Sequence, residues 1–455
     1  MATATIVVLF VLLLLFLNMR AAAKARKLIS ATETDHLTGL YNKEYFFQYA
    51  DLSFHEHPNR QMDAIVINIE QFHSVNALHG RDLGDRILAS LGEEIALIVK
   101  ETGGFAGRLE SDEFDIYCRS TSDYQNIYNR VQLKLESILP SANILIRMGV
   151  MPWQEKMEPV HLFDRARTAC NMARGHFNKH LIIYDERVNE RESYEQRLVS
   201  DFRRALDQNE FIIHYQPKFS INADKPEIIG AEALVRWKHP ELGMIPPGDF
   251  IPLFEKNGQI TLLNEYVWLN AAKQIEQWTK EHKKAIPISV NLSRVDVFDP
   301  DLENTLESIL NSHNIKHEYF NLEVTESAYT EDADQVIQVM GNLRKKGFRV
   351  EMDDFGSGYS SLNMLSSMPI DLLKMDKEFI RNIESEEKDR QLVSLIIDIA
   401  KDLKVPVIAE GVENEAQLNL IKELGCNIVQ GYFFSYPLNA DEFADKYLVN
   451  REGDK

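Results

Sequence analysis

Carboxylate and amide side chains recur at the downstream ends of apolar, β-branched runs in the second half of this chain. Asp353 and Asp354 form an adjacent acidic pair that closes one such run, a position that surface solvation does not readily explain. Six further runs carry a polar residue at or near their ends: Glu232, Asn291, Glu323, Lys374, Glu410 and Gln430. A single carboxylate after a strand is usually a helix cap, but seven such placements on successive runs are hard to explain as caps.

The chemistry that this residue set favours is metal-assisted hydrolysis of a phosphate ester. One Asn and at least four carboxylates at one site would repel one another unless cations lay between them. Hard oxygen ligands of this kind suit Mg²⁺ or Mn²⁺. Two such ions about 4 Å apart can activate a water molecule and stabilise both oxygens of an in-line phosphodiester displacement. The residues predict this reaction class without identifying the substrate.

These polar residues can meet only if the runs that carry them are strands of one sheet. Eight runs mostly alternate with helix-like segments over about 250 residues, which is the pattern of a TIM-type barrel. The predicted strands are Phe211–Tyr215, Ile228–Arg236, Ile286–Asn291, Phe320–Thr325, Phe348–Met352, Leu372–Met375, Val405–Ala409 and Ile428–Gln430. In such a barrel the carboxyl ends of the strands converge on one mouth, where active sites form.

Residues 198–447 resemble the EAL family of cyclic di-GMP phosphodiesterases over their whole length. The matching segments are Tyr215–Pro217, Glu232–Leu234, Arg236–Trp237, Phe250–Pro252, Asn291–Ser293, Glu323–Ser327, Asp353–Ser361, Lys374–Asp376, Ala409–Glu413 and Gln430–Tyr432. The resemblance implies an EAL-type (β/α)8 barrel in which the strand containing Tyr215 runs antiparallel to the others. It also implies hydrolysis of cyclic di-GMP to linear pGpG with two Mg²⁺ or Mn²⁺ ions as cofactors.

The same resemblance implies a role for each polar residue of the predicted mouth. The implied metal ligands are Glu232, Asn291, Glu323 and Asp353 for the first ion, and Asp353, Asp354 and Glu410 for the second. The implied catalytic residues are Lys374, Glu410 and Glu326, where Lys374 would orient the attacking water or offset charge on the phosphate. Gln216, Arg236, Glu413 and Gln430 would seat the substrate or support the metal ligands. Glu326 would brace the loop after Asp354, which helps many family members to form homodimers; Ser357 in that loop stands where the family often has Thr.

Residues 33–187 predict a second α/β domain, built from apolar runs separated by helical patterns. This region resembles the GGDEF family of diguanylate cyclases, whose fold is an α/β sandwich. Asp35–Asn42 matches the opening signature of that family, and Asp112–Phe114 matches the end of its signature hairpin. Residues 188–197 are charged, lack Pro and Gly, and predict a helical linker between the two domains.

The departures from the GGDEF pattern fall on its chemistry. Glu110 and Ser111 replace the two signature glycines, and glycine is the residue that lets backbone amides approach a phosphate closely. Asn68 stands at the first metal-binding Asp of the family and removes a negative charge from that site. His73 and Glu101 replace a helical Lys and the Arg of product inhibition. We therefore expect this domain to lack cyclase activity.

Part of a nucleotide site survives in the same domain. Asn76 and Asp85 match guanine-binding positions of the GGDEF family, and Asp112 is retained. GTP is therefore a candidate regulatory ligand, and the alternative for Asn76 and Asp85 is a surface or capping role. A scaffold or dimerisation role is the alternative.

The first twenty residues differ from the rest of the chain. Ile6–Leu17 is an unbroken apolar run, and a helix from Met1 to Met19 would rise about 28 Å, close to the hydrocarbon thickness of a bilayer. Positive charges follow the run, at Arg20 and within residues 21–32, rather than precede it as in a signal peptide. We therefore expect a single-pass anchor in the cytoplasmic membrane, a linker over residues 21–32, and both globular domains in the cytoplasm.

Charge and cysteine content narrow the classes of partner and of cellular compartment that fit this protein. A net charge of −20 argues against a nucleic-acid polymer held on a basic surface. Three widely spaced cysteines form neither a zinc pattern nor a disulfide framework, in keeping with a reducing compartment. The chain ends in a short tail, residues 448–455. The alternative to an enzyme is a catalytically silent cyclic di-GMP receptor that signals by conformational change, and the full acidic set exceeds what binding alone requires.

Overall fold

The computed structural model describes residues 33–138, 144–174, 180–223, 225–329, 333–356 and 367–449. The chain divides into two compact units between Tyr194 and Glu195. The helix Glu186–Asp207 contains this division, so the predicted linker 188–197 lies inside a longer helix. The predicted membrane span 1–20 and the linker 21–32 lie outside the described residues. Within the described part of the chain, no helix is long and apolar enough to cross a bilayer.

The first unit is built on a six-stranded mixed sheet in the order β1-β3-β4-β2-β5-β6. Its strands are β1 Tyr41–Asn42, β2 Met62–Ile69, β3 Phe105–Arg108, β4 Phe114–Arg119, β5 Ile146–Met151 and β6 Leu181–Ile183, and its helices are Lys43–Glu56, Phe72–His79, Arg81–Thr102, Tyr124–Ile138 and Pro159–Met172. The central strand β2 contributes Ile65 and Ile67 to one hydrophobic core, and Ala64 and Val66 to another. Because side chains alternate between the faces of a strand, both faces of the sheet are covered, which confirms the α/β sandwich.

The second unit is an eight-stranded barrel, as predicted. Its strands are β7 Phe211–Ser220, β8 Glu227–His239, β10 Ile288–Leu292, β11 Phe320–Thr325, β12 Arg349–Phe355, β13 Leu372–Met375, β14 Val407–Glu410 and β15 Ile428–Gln430, with β9 Gly243–Ile245 as an extra hairpin strand on β8. Pairing of β8 with β10 closes the barrel. Strand β7 runs antiparallel to both of its neighbours, β8 and β15, which confirms the expected antiparallel strand.

Helices surround the barrel. They are Pro247–Asn257, Ile260–His282, Arg294–Val297, Leu302–Ser312, Ala333–Lys346, Lys377–Arg381, Glu387–Asp402, Glu415–Glu423 and Ala440–Tyr447, with 3₁₀ turns at His317–Tyr319 and Glu326–Tyr329. The antiparallel strand is fastened by aromatic packing, because Trp278 lies 5.0 Å from the ring of Tyr215 and 4.8 Å from that of Phe443. Buried ring pairs of this kind add to the free energy gained from apolar burial alone.

An irregularity in β12 decides how the acidic pair is presented. Successive side chains of a regular strand point to opposite faces, so Asp353 and Asp354 could not both face the barrel mouth. The register between β12 and β13 shifts between Met352 and Phe355, and Asp354 has a left-handed backbone with φ of 53°. Asp is one of the few residues that tolerate this conformation, so the sequence permits a bulge that keeps the two carboxylates near one another.

Candidate metal-binding active site

A buried lysine lies at the centre of the barrel mouth. Lys374 on β13 is 1% exposed, and its Nζ lies 2.8 Å from Asp353 Oδ1 and 2.8 Å from Glu410 Oε1. It also lies 3.1 Å from Glu323 Oε2 and 3.4 Å from Glu232 Oε2. The Asp353 and Glu410 oxygens are buried and, despite this proximity, receive no hydrogen bond of good geometry. One ammonium therefore faces four carboxylates, and some of their oxygens can still accept a hydrogen bond or bind a cation.

The carboxylates form two overlapping groups that could hold metal ions. Glu232, Glu323 and Asp353 present oxygens within 4.8 Å of one another, and so do Asp353, Asp354 and Glu410. Asp353 belongs to both groups. The two groups together comprise five carboxylates, and some of their buried oxygens receive no hydrogen bond. Such a set of oxygen ligands fits a pair of hard divalent cations such as Mg²⁺ or Mn²⁺.

Amide side chains lie at the same level of the barrel. Asn291 is paired in register with Glu323 across β10 and β11, and Gln216 is paired with Glu232 across β7 and β8. Gln430 Nε2 donates to Glu232 Oε2 at 2.7 Å, while its own Oε1 is buried and without a hydrogen-bond partner. The structure thus brings these predicted residues to the strand positions beside the acidic groups.

Three other predicted residues occupy the rim. Arg236 is half-buried on β8, where its Nη1 donates to the Val235 carbonyl at 2.9 Å. Glu326 is buried after β11, and its Oε2 accepts from the Gly356 amide at 2.7 Å, at the start of the loop that follows Asp354. Among the described residues, Glu413 is not a member of either acidic group; it is exposed, and its amide donates to Gln417 Oε1 at 2.7 Å.

A cleft of about 490 Å³ opens between the ends of β8 and β10. It is lined by none of the five carboxylates, but its lining includes Asn291, which is paired in register with Glu323. Its wall combines polar side chains, including Arg236, Asn291 and Ser293, with apolar ones such as Pro247 and Ile251. A larger open groove of about 690 Å³ lies on the outer helices and is lined by none of the predicted site residues. The cleft beside Asn291 is therefore the better candidate for a ligand that reaches the acidic groups.

Burial and mutual repulsion perturb the acidic groups. Burial, followed by the charge of Glu323, raises the pKa of Glu232 to about 7. Burial likewise raises the pKa of Glu410 to about 8, with Asp353 adding to the rise. Burial and then Asp353 raise the pKa of Asp354 to about 6. In the absence of a metal ion the site therefore retains protons that ordinary carboxyl groups lose.

A second layer of polar residues lies below the mouth and was missed in the sequence analysis. It consists of Lys218, Ser289, Asn321 and Glu351, all buried. Burial alone would raise the pKa of Glu323, but Lys218 and then Lys374 outweigh it and hold that pKa well below its usual range. A signal was available: Glu351 interrupts an apolar strand two residues before Asp353, so both face the same side of β12.

In the first unit, cations of the chain itself engage the signature residues. Glu110 pairs with Lys43. Glu113 pairs with the guanidinium of Arg167 at 3.1 Å, and Asp112 Oδ2 accepts from the Ile69 amide at 3.2 Å. No group of three potential metal-ligating side chains is found among the described residues of this unit.

The candidate guanine-binding residues lie on neighbouring helices. Asn76 is in the helix Phe72–His79, and its Oδ1 is buried without a hydrogen-bond partner. Asp85 is exposed in the helix Arg81–Thr102. Asn76 packs against Gly84, where an added Cβ would come within 2.0 Å of Asn76 Oδ1. The packing against Gly84 gives Asn76 a structural role.

Comparison with known families agrees with this architecture. A family model described as "EAL domain" matches residues 199–437, and one described as "Diguanylate cyclase, GGDEF domain" matches residues 32–179. The chain is 31% identical over 429 residues to the bifunctional diguanylate cyclase/cyclic di-GMP phosphodiesterase MucR of Pseudomonas aeruginosa, covering 92% of this chain and 62% of MucR. It is 29% identical over 426 residues to the cyclic di-GMP phosphodiesterase PdeR of Escherichia coli, covering 91% of this chain and 63% of PdeR. The chain thus spans less than two thirds of these relatives.

Solved structures resemble the chain in two ways. The structure titled "PaMucR Phosphodiesterase, c-di-GMP complex" is 37% identical to this chain, with a TM-score of 0.52. The match covers 54% of this chain and 99% of the chain in that structure. The match to the structure titled "Vibrio cholerae LapD S helix-GGDEF-EAL (bound to c-di-GMP)" has a TM-score of 0.64 and covers 91% of this chain and 99% of the chain in that structure. Its identity is 16%, so this second likeness concerns the fold alone.

The raised carboxyl pKa values predict how stability depends on pH in the metal-free protein. A folded-state pKa above the unfolded value contributes stability at low pH that is lost as pH rises through the folded pKa. With a chelator present, the melting temperature of the second unit should therefore fall as pH rises from about 4, where carboxyl groups of an unfolded chain titrate, with Asp354 contributing up to about 6 and Glu410 up to about 8. Mn²⁺ at the upper pH should restore it, because the cation replaces the lost protons. Scanning calorimetry measures the fall of the melting temperature with pH and its recovery with Mn²⁺. The Glu410→Gln variant should show a smaller fall with pH. An equal fall in that variant would contradict the raised pKa of Glu410.

Proposed function

This chain belongs to the EAL domain family and carries a GGDEF domain ahead of its EAL domain, and from that membership we propose that it hydrolyses cyclic di-GMP to linear pGpG with two divalent cations. The observation that carries the proposal is the pair of acidic groups that share Asp353 around Lys374. The names of the relatives MucR and PdeR, and the cyclic di-GMP complex of MucR, support the same substrate.

The residues of the mouth divide into two ligand sets in this proposal. Glu232, Asn291, Glu323 and Asp353 hold the first Mg²⁺ or Mn²⁺, and Asp353, Asp354 and Glu410 hold the second. Once bound, the two cations supply an activated water and stabilise the attacking and leaving oxygens of the phosphodiester. The chain contributes fixed ligand positions, since the bulge at Asp354 and the register of β10 with β11 set them before any ion arrives.

Lys374 acts beside these ligands. Its ammonium is buried and in contact with carboxylates of both sets, so it holds their side chains in place. In the proposed reaction its Nζ orients the attacking water or balances charge on the phosphate. A fixed positive charge in a site that excludes bulk water stabilises developing charge more than it would in water.

The cleft beside Asn291 is the proposed binding place for the nucleotide. Arg236 offers a cation for a phosphate or a base edge, and the apolar residues Pro247 and Ile251 offer surface to a purine. Gln430 reaches the ligand set through Glu232, and Gln216 lies in register with the same residue. Glu413 is proposed to act at the rim, where it is exposed.

The first prediction from this proposal concerns turnover by the full chain in detergent. Wild type should convert cyclic di-GMP to pGpG with Mg²⁺ or Mn²⁺, as followed by chromatography. Glu232→Ala and Asp353→Asn should abolish turnover because each removes a metal ligand, and Lys374→Ala should lower kcat about 100-fold or more. Glu307→Gln, on the outer helix Leu302–Ser312, is the matched control and should retain wild-type rates. A wild type that binds cyclic di-GMP but leaves it intact would instead support the receptor function.

We further propose that the GGDEF domain makes no cyclic di-GMP and acts as a regulator or scaffold. The support is chemical: Asn68 removes a metal-binding charge, while Glu110 and Ser111 replace the glycines of the signature. GTP is the proposed regulatory ligand, through Asn76, Asp85 and Asp112. A ligand can shift the hydrolase only if it binds the active and resting states with different affinities.

Both parts of this proposal can be examined in one experiment on the full chain. GTP with Mg²⁺ should yield no cyclic di-GMP, because the metal site is incomplete, and titrated GTP should change the rate of cyclic di-GMP hydrolysis. Asn76→Ala should remove the GTP effect and leave the basal rate unchanged. Synthesis that disappears in Asp112→Ala would refute the first part; unchanged rates with no GTP binding by calorimetry would leave the domain as a scaffold.

We also propose that residues 1–20 anchor the protein in the cytoplasmic membrane, with both domains in the cytoplasm, and that EAL domains pair through the loop after Asp354. The apolar run Ile6–Leu17 and the basic residues after it support the anchor. The protein should sediment with membranes, and a reporter fused after Lys27 should read as cytoplasmic. Recovery of an N-terminally cleaved form outside the cytoplasm would contradict the anchor.

A further inference from the structure

A buried polar cluster lies one layer below the proposed metal ligands. We call it the floor cluster and define it as Lys218, Ser289, Asn321 and Glu351. Each member stands two residues along its strand from a residue of the mouth, the respective neighbours being Gln216, Asn291, Glu323 and Asp353. Residues two apart on a strand share a face, so the floor cluster and the mouth are successive layers of the barrel interior.

The floor cluster is nearly fully hydrogen-bonded. Lys218 Nζ donates to Ser289 Oγ at 2.7 Å and to Glu351 Oε2 at 2.5 Å. The other Glu351 oxygen, Oε1, accepts from Ser289 Oγ at 3.0 Å and from Asn321 Nδ2 at 2.8 Å. Lys218 is 3% exposed and Glu351 is 2% exposed, so these bonds form away from bulk water.

The cluster connects to the mouth through Glu323. Lys218 Nζ donates to Glu323 Oε1 at 2.7 Å, and Lys374 Nζ lies 3.1 Å from Glu323 Oε2. One oxygen of this carboxylate is therefore bound from below, and the other faces the acidic groups. A carboxylate fixed at one oxygen loses the freedom to rotate or to bind a cation through both oxygens.

Charge explains why Glu351 accompanies Lys218. A buried ammonium beside Glu323 alone would neutralise that carboxylate and weaken its attraction for a cation. Glu351 supplies a second negative charge at 2.5 Å from Lys218, so the lysine is balanced within the floor cluster. Glu323 can then be oriented by Lys218 and still contribute negative charge to the mouth.

We propose that Lys218 and Glu351 are a positioning pair that fixes Glu323 as a one-oxygen ligand of the first divalent cation. The inference rests on the proposed two-cation function of the mouth and extends it to residues that contact neither substrate nor metal. Groups that orient a metal ligand typically change metal affinity about 10- to 100-fold when they are removed. A purely structural ion pair would instead affect folding alone.

The experiment compares three forms of the full chain in detergent: wild type, Lys218→Met, and the double variant Lys218→Met/Glu351→Gln. The single variant leaves Glu351 as a buried, unbalanced charge, so it can fail to fold. The double variant removes both charges and keeps a side-chain oxygen that can accept from Ser289 and Asn321. Mn²⁺ binding to the chelator-treated protein is measured by calorimetry, together with the melting temperature and the Mn²⁺ concentration for half-maximal hydrolysis.

We expect the double variant to remain folded and to bind Mn²⁺ about 10- to 100-fold more weakly at its tighter site. Its half-maximal Mn²⁺ concentration should rise in parallel, while kcat at saturating Mn²⁺ changes less. Met340→Ala is the control for stability, because Met340 is fully buried in the helix Ala333–Lys346, among the residues of the hydrophobic core. This control should lower the melting temperature and leave Mn²⁺ affinity unchanged.

The outcomes separate this inference from the function on which it rests. A wild type that binds Mn²⁺ and hydrolyses cyclic di-GMP, with a double variant that binds Mn²⁺ equally well, would overturn the positioning pair alone. A loss of Mn²⁺ affinity in Met340→Ala as large as in the double variant would also overturn it. A wild type that neither binds Mn²⁺ nor hydrolyses the substrate would overturn the two-cation function, and the positioning pair with it.

Discussion

The concentration of negative charge inside the barrel mouth is the constraint on which the second unit depends. Five carboxylates lie at the mouth, and burial disfavours their ionised forms. The ammonium of Lys374 contacts four of them, and that of Lys218 contacts Glu323 from below. Removing such groups from water costs free energy that the fold does not recover through their mutual contacts. The arrangement therefore lowers the stability of the metal-free protein, and it becomes favourable when cations supply the missing positive charge.

Barrel closure is what makes this concentration geometrically possible. Seven of the strands run parallel, so their carboxyl ends deliver side chains to one mouth, and β7 contributes from its opposite direction. A regular strand could present only one of Asp353 and Asp354, and the bulge in β12 resolves that conflict. Glu326 then holds the backbone just beyond the bulge by accepting from the Gly356 amide. A buried carboxylate thus helps to stabilise the local departure from strand geometry.

Sequence patterns predicted the eight barrel strands because each is an apolar run of the right length next to a helical pattern. They missed β9, whose first two residues, Gly243 and Met244, are exposed, so that no buried apolar run marks it. The mouth residues were predictable because they stand at strand ends, where polarity is conspicuous. Glu351 could have been found as a charge that interrupts an apolar strand two residues before Asp353, but its pairing with Lys218 could not, since 133 residues separate the two in the sequence. The pKa values of the carboxyl groups depend on the same long-range assembly.

The two units of this chain differ in how the charges of their acidic side chains are balanced. In the GGDEF domain, Lys43 engages Glu110 and Arg167 engages Glu113, so each of these signature carboxylates has a cation of the chain beside it. In the barrel, the mouth carboxylates outnumber Lys374, while Lys218 is balanced separately by Glu351. A Lys or Arg side chain competes with a divalent ion for the same carboxylate oxygens, and it is always present because it belongs to the chain. In the barrel the carboxylates outnumber the lysines, and the proposed binding of cations rests on that deficit, to which the buried Glu351 contributes one layer below the mouth.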